Sequence, residues 1–148
     1  MGAMLTADRV GEYLRVLRAV AEWAATQNGL AGVAVVGSWA RNEARMDSDV
    51  DLVVLTDDPE RYLADDSWTA SAVGGPAQVV RTQDWGPLTE RRIALQSGLE
   101  IEFGFAPRSW AGTDPVDPGT ARVVGDGCSP LIDREQAFAR LVVAVAAT

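Results

Sequence analysis

The chain has 148 residues, enough for one domain with a real core and too few for two. Apolar residues make up 47% and charged residues 23%, which is globular rather than disordered composition. The net charge is −8, there is no histidine, and all 13 basic residues are arginines, so histidine triads, imidazole-bound metals, phosphate-loop lysines and lysine Schiff bases are excluded.

A surface this acidic is not expected to bind nucleic acid broadly. One cysteine, Cys128, provides neither an internal disulfide nor a thiolate cluster, so the expected compartment is cytoplasmic. No membrane association is expected: the apolar stretch Leu141 to Ala147 is too short to span a bilayer, and the N-terminus lacks a basic region followed by an apolar run. Residues 1–148 read as one domain, within which residues 1–5 are expected to be disordered or added. Met1-Gly2-Ala3 has the look of an addition ahead of a native start at Met4.

Thr6 to Gln27 is predicted as an amphipathic helix. Val10, Leu14, Leu17, Val20 and Ala21 recur at helical spacing, Thr6 is suited to cap the start, and Asn28-Gly29 to stop it. Ala31 to Val36 is predicted as a buried strand ending at Gly37, Ser38 to Arg45 as a short helix, and Val50 to Leu55 as a second strand. Pro59 to Asp66 has room for another short helix, with Pro59 in its first turn. Beyond Gly74-Gly75-Pro76 come strands at Ala77 to Thr82, Arg91 to Gln96 and Leu99 to Phe105, the last two joined by a turn at Ser97-Gly98. Trp110 to Gly119 reads as a loop, Arg122 to Val124 and Leu131-Ile132 as short edge strands. Asp133 is expected to cap a closing helix running to about Ala146. The order gives an α+β domain in which helices flank a mixed β-sheet.

Chemistry concentrates at three places. Gly37-Ser38 stands where a strand gives way to a helix, a junction that lets backbone N–H groups approach phosphate oxygens. The same junction occurs widely as a simple cap. Asp49 and Asp51 alternate at the start of an apolar strand and so share a face, where their mutual repulsion calls for a cation such as Mg²⁺. In Leu99 to Phe105 the same alternation sets Glu100 and Glu102 on one face and Leu99, Ile101 and Phe103 on the other. Either glutamate could complete a metal site, and at least one is explained as a solvent-facing residue. Arg41 and Arg45 are suited to neutralise phosphate charge, or to form a solvated face. Trp39, Trp85 and Trp110 could stack on a base or serve as packing.

Gly37-Ser38-Trp39-Ala40-Arg41, followed after a spacer by Ser48-Asp49-Val50-Asp51-Leu52-Val53-Val54, resembles the signature of the DNA polymerase β-like nucleotidyltransferase superfamily, a G-S-x-A-R-G segment then S-D-x-D-L and apolar residues. Asn42 departs from that pattern, in which glycine is usual. The resemblance implies a nucleotidyltransferase-type fold in which Gly37 and Ser38 hold the nucleotide's phosphates, with Arg41 and Arg45 in support. It implies two Mg²⁺ ions bound by Asp49 and Asp51, with a nucleoside triphosphate, ATP by expectation, as co-substrate. Ile101-Glu102-Phe103, with Pro107 beyond, matches the setting of the family's third acid better than Leu99-Glu100-Ile101. The resemblance therefore assigns Glu102 as the third catalytic and metal-binding residue and a candidate general base.

The implied activity is transfer of a nucleoside monophosphate to an acceptor hydroxyl, on a small molecule such as an aminoglycoside-like compound. The alternatives are an antitoxin-type minimal nucleotidyltransferase that modifies a protein, and a non-catalytic nucleotide-binding module of the same fold. An unrelated Mg²⁺-dependent phosphohydrolase would leave Gly37-Ser38 unexplained. A homodimer is one way to complete the acceptor wall.

Overall fold

The computed structural model describes residues 4–147, so the addition expected at Met1-Gly2-Ala3 lies outside the described residues. The first helix, α1, runs Ala7–Ala25, and the Thr6 side chain accepts from the Arg9 amide as its N-cap. Strands follow at Leu30–Val36 (β1) and Val50–Thr56 (β2), then short helices at Glu60–Leu63 (α2) and Thr69–Val73 (α3). Ala77–Asp84 (β3), Thr89–Leu95 (β4) and Glu100–Ala106 (β5) complete the middle of the chain. After a 3₁₀ turn at Arg108–Ala111 come Pro118–Gly125 (α4), Cys128–Asp133 (β6) and Ala137–Ala146 (α5).

Six strands form one mixed sheet in the order β3-β4-β5-β2-β1-β6. β2 runs parallel to β5 and antiparallel to β1, and the other neighbours are antiparallel. The alternation of side chains sends two apolar sets to opposite faces. Val50, Leu52, Val54, Ile93, Ile101, Phe103 and Phe105 pack with Val16, Val20 and Trp23 of α1 and with Tyr62 and Val73. Val53, Leu55, Ala34, Val36 and Ala106 pack with Trp110, Val124, Phe138 and Leu141 on the other side. β1 and β2 are buried on both faces, which explains their unbroken apolar runs.

Three expectations change. Ser38 to Arg45 is not a helix but a compact turn, held by amide bonds from Arg41 to the Gly37 carbonyl (3.2 Å) and from Glu43 to the Ser38 carbonyl (2.9 Å). Arg122 to Val124 is not a strand; it lies in α4, started by Asp117, whose carboxylate accepts from the Gly119 and Thr120 amides. The N-cap aspartate followed by proline at the first helical position outweighs the β-branched pair Val123-Val124. The stretch read as loop at Trp110 to Gly119 therefore holds the end of the 3₁₀ turn and the start of α4. Asp133 does cap α5, but across a gap: its carboxylate accepts from Phe138 (3.1 Å) and Ala139 (2.9 Å). No helix among the described residues is long and apolar enough to cross a membrane.

Candidate active site

Asp51 sits in the second residue of β2, paired in register with Val36 of β1 on one side and with Glu102 of β5 on the other. Val36 is the last residue of β1, so Gly37 begins its turn directly beside the Asp51 carboxylate. Gly37 has a φ of +76°, and a Cβ there would stand 2.5 Å from Asp51 Oδ2. Only glycine meets both conditions. Five residues on, Asn42 takes a φ of +61°. That is the left-handed region in which asparagine is the usual substitute for glycine, so the departure from the family pattern preserves the turn. The turn is clamped from outside by Gly127, between α4 and β6, where a Cβ would lie 3.0 Å from the Arg41 nitrogen and 3.2 Å from the Ala40 carbonyl carbon.

The expected alternation brings four acids to one face. Asp49, Asp51, Glu100 and Glu102 lie together, while Leu99, Ile101 and Phe103 are buried on the opposite side. The parallel register distinguishes the two glutamates. Glu102 is level with Asp51 and its side chain is 15% exposed; Glu100 lies further out at 32%.

Two residues of β4 belong to the same cluster and were not singled out in the sequence. Arg92, opposite Glu102 in register, contacts Asp49 Oδ2 (3.0 Å) and Glu100 Oε1 (2.7 Å) through Nη1, and Glu102 Oε1 through Nη2. Glu90, one pleat further along, has a buried Oε1 with no hydrogen-bond partner, and Arg81 approaches it only to 3.6 Å. The available signal was alternation along β4, which puts Glu90 and Arg92 on the face opposite Arg91 and Ile93. Which face looks onto Asp51 is set by strand pairing.

Five acids faced by three guanidiniums, those of Arg92, Arg81 and Arg41, leave negative charge in excess. Burial, then the neighbouring Asp49 and Glu90, push the Asp51 carboxyl up to about 6, against the opposing pull of Arg92 and Arg41. Asp49 is also raised, chiefly by burial, with Glu100 and Glu90 adding to it and Arg92 opposing. Among the described residues no three such side chains already converge to hold a metal ion; the Arg92 guanidinium stands between Asp49, Glu100 and Glu102. The donor set nonetheless fits a hard divalent cation. It is all carboxylate oxygen, carries uncompensated charge, and includes an unsatisfied buried oxygen on Glu90.

Asp51, Glu90 and Glu102 floor a cleft of about 450 Å³. One wall is the β3–β4 hairpin with Trp85 and Leu88, and the other is α4 with Thr120 and Val123, beside Trp110. Of the three tryptophans, Trp39 stacks on Tyr13 (ring centroids 3.9 Å apart) and Trp110 is buried, which makes both packing residues. Trp85 is 58% exposed at the cleft's edge. Arg41 is exposed, paired with Glu43 at 3.0 Å, yet near enough to Asp51 to stabilise its charge. Arg45 is exposed, and its amide donates to Ser48 Oγ (2.8 Å), shaping the loop that leads to Asp49. Cys128 is half-buried with its thiol pushed up to about 11, a structural rather than nucleophilic cysteine.

A glycine-serine turn set against paired acids on a central strand, in a mixed sheet with helices on both faces, defines a nucleotidyltransferase-type α+β fold. A model of the nucleotidyltransferase domain family matches residues 17–99, over half of the chain, and the chain belongs to that family, within the polymerase β-like superfamily. Among solved structures, the Cid1 poly(U) polymerase matches with a TM-score of 0.50 at 12% identity, over 69% of this chain and 32% of that one. The likeness is one of fold, and this chain spans about a third of that structure's length. No curated protein matches.

Proposed function

We propose that the chain transfers a nucleoside monophosphate from a nucleoside triphosphate, ATP by preference, to a hydroxyl of a small-molecule acceptor of aminoglycoside-like character, in the cytoplasm. The functional unit is the one domain of residues 1–148. The observation that carries this reading is the register of Asp51 with Glu102 on one side and its contact with Gly37 on the other. The carboxylate oxygens and the glycine-serine turn are thereby set beside each other.

In this reading Asp49, Asp51 and Glu102 hold two Mg²⁺ ions. When bound, these ions supply charge neutralisation for both the entering and the leaving oxygens of an in-line displacement. Gly37 and Ser38 present the turn's N–H groups and the Ser38 hydroxyl to the β- and γ-phosphates, with Arg41 at its mouth and Arg45 beyond. The acceptor oxygen attacks the α-phosphorus, its proton passes to a Glu102 carboxylate oxygen, and pyrophosphate departs. The cleft size and the open Trp85 face support an acceptor of small-molecule dimensions. A net charge of −8 disfavours a polynucleotide acceptor and attracts a cationic one.

The test is thermal stabilisation of the native chain and of Asp51→Asn by each nucleoside triphosphate, with and without Mg²⁺. A Mg²⁺-dependent shift confined to the native chain is expected. No such shift with any nucleotide, or an equal one in the variant, refutes the site. Transfer of labelled nucleotide to aminoglycosides, set against transfer to basic proteins, then identifies the acceptor class.

A further inference from the structure

The three carboxylates that Arg92 gathers include two of the proposed metal ligands. Its Nη1 lies 3.0 Å from Asp49 Oδ2 and 2.7 Å from Glu100 Oε1, while Nη2 contacts Glu102 Oε1. The remaining nitrogen, Nε, is buried without a hydrogen-bond partner. The guanidinium thus meets the acids through Nη1 and Nη2, with Nε left unpaired. The nearest other cation, Arg81, stands 4.0 Å from Glu102. Without Arg92, Asp49 would lose its ion-pair partner and Glu102 would keep only Arg81 at 4.0 Å.

We propose that Arg92 is a resident counter-cation that occupies the metal-binding carboxylates in the empty enzyme and yields them when the ion enters. This rests on the reading of Asp49, Asp51 and Glu102 as ligands. Glu100 completes the device. It is the one partner of Arg92 outside the proposed ligand set, and it makes the 2.7 Å contact. When Asp49 and Glu102 turn to the ion, Glu100 retains the guanidinium at the edge of the site. There the freed Nη2 can face the phosphates of an incoming nucleotide. Arg92 is therefore a positioning residue that acts through its acids. It sets Asp49 and Glu102 to a fixed separation before the ion arrives and competes with the ion for the same oxygens.

A purely structural ion pair and a resident counter-cation differ in one measurable respect. Losing a structural pair weakens both the fold and the metal site; losing a competitor weakens the empty fold but tightens the metal site. The experiment titrates Mn²⁺ and Mg²⁺ alone, without nucleotide, into the chelator-treated full chain by calorimetry, alongside thermal midpoints in chelator. The variants are Arg92→Gln and Arg92→Lys, the second keeping the charge but not the two-pronged reach. For Arg92→Gln a lower midpoint in chelator and a metal dissociation constant reduced at least fivefold are expected, with Arg92→Lys between that and the native chain. Native binding with equal or weaker affinity in both variants overturns the inference and leaves the metal site standing. If neither the native chain nor the variants bind metal, the ligand assignment fails and this inference falls with it. Binding seen only in the variants is the strongest form of the expected result.

Discussion

Replacing Asp51 with asparagine should make the metal-free protein more stable, although it removes a residue from the centre of the site. The ground is the rise of its carboxyl from the usual 3.8 to about 6 in the folded chain, caused first by burial and then by Asp49. A folded state that raises an acid's pKa holds the proton more tightly than the unfolded chain does, so ionisation favours unfolding. Well below pH 4 both states are protonated and the penalty vanishes. It grows between the unfolded and folded values and is complete above about pH 6. A shift of this size corresponds to about 3 kcal/mol, reduced to about 2 by solvent at the cleft mouth. For a chain of this length that is a midpoint gain of roughly 5 °C. The assay is urea unfolding of native chain and Asp51→Asn in chelator at pH 7.5 and pH 4.0. The variant should be the more stable at pH 7.5, and the gap should shrink to a small fraction at pH 4.0. Adding Mg²⁺ at pH 7.5 should raise only the native chain. Equal stability at pH 7.5, or an undiminished gap at pH 4.0, would refute the account of Asp51 as a carboxylate held in electrostatic stress.

Gly37→Ala should lose nucleotide-dependent stabilisation altogether and cost about 2 kcal/mol in urea unfolding, since the new methyl meets Asp51 Oδ2 at 2.5 Å and the φ is left-handed. Asn42→Gly should lie within about 0.5 kcal/mol of native, whereas Asn42→Val should lose about 1–2 kcal/mol, because a β-branched residue resists a φ of +61°. Arg134→Ala should lower the thermal midpoint through about 2–3 kcal/mol while leaving metal affinity unchanged. Its guanidinium donates to the Ala24, Ala25, Gln27 and Leu30 carbonyls at 2.6–3.1 Å, closing the C-terminal end of α1 away from the cleft.

Most of the sheet was legible because its central strands announce themselves: β1 and β2 are apolar on both faces, and β5 alternates. The spacing from Gly37 to Asp51 could be read as one constellation because both lie at strand ends that pair with each other. What escaped was non-local or too short. Glu90 and Arg92 carry no motif, and their place beside the acids follows from the pairing of β4 with β5. The helix α3 spans five residues, less than two turns, and so leaves no periodic signal. α4 was misread because Val123 and Val124 suggest a strand while its real signature, Asp117-Pro118, lies six residues upstream. Trp39 could not be separated from Trp85 by composition, since only the fold shows that Tyr13 covers one and leaves the other open.

Gly127 gives the glycine-serine turn a history as well as a shape. Residues 37–42 can bend locally as soon as they exist, but the backbone that presses on Ala40 and Arg41 arrives some 85 residues later in the chain. It lies outside the 17–99 segment shared with the family. During synthesis the turn therefore emerges early and remains unbraced until α4 and β6 have formed and β6 has docked beside β1. Nascent chains should acquire Asp49 and Asp51 before the turn beside them becomes rigid. A fragment cut to the family segment would lack both Gly127 and β5 with Glu102, and so would keep Asp49 and Asp51 without the strand that faces them.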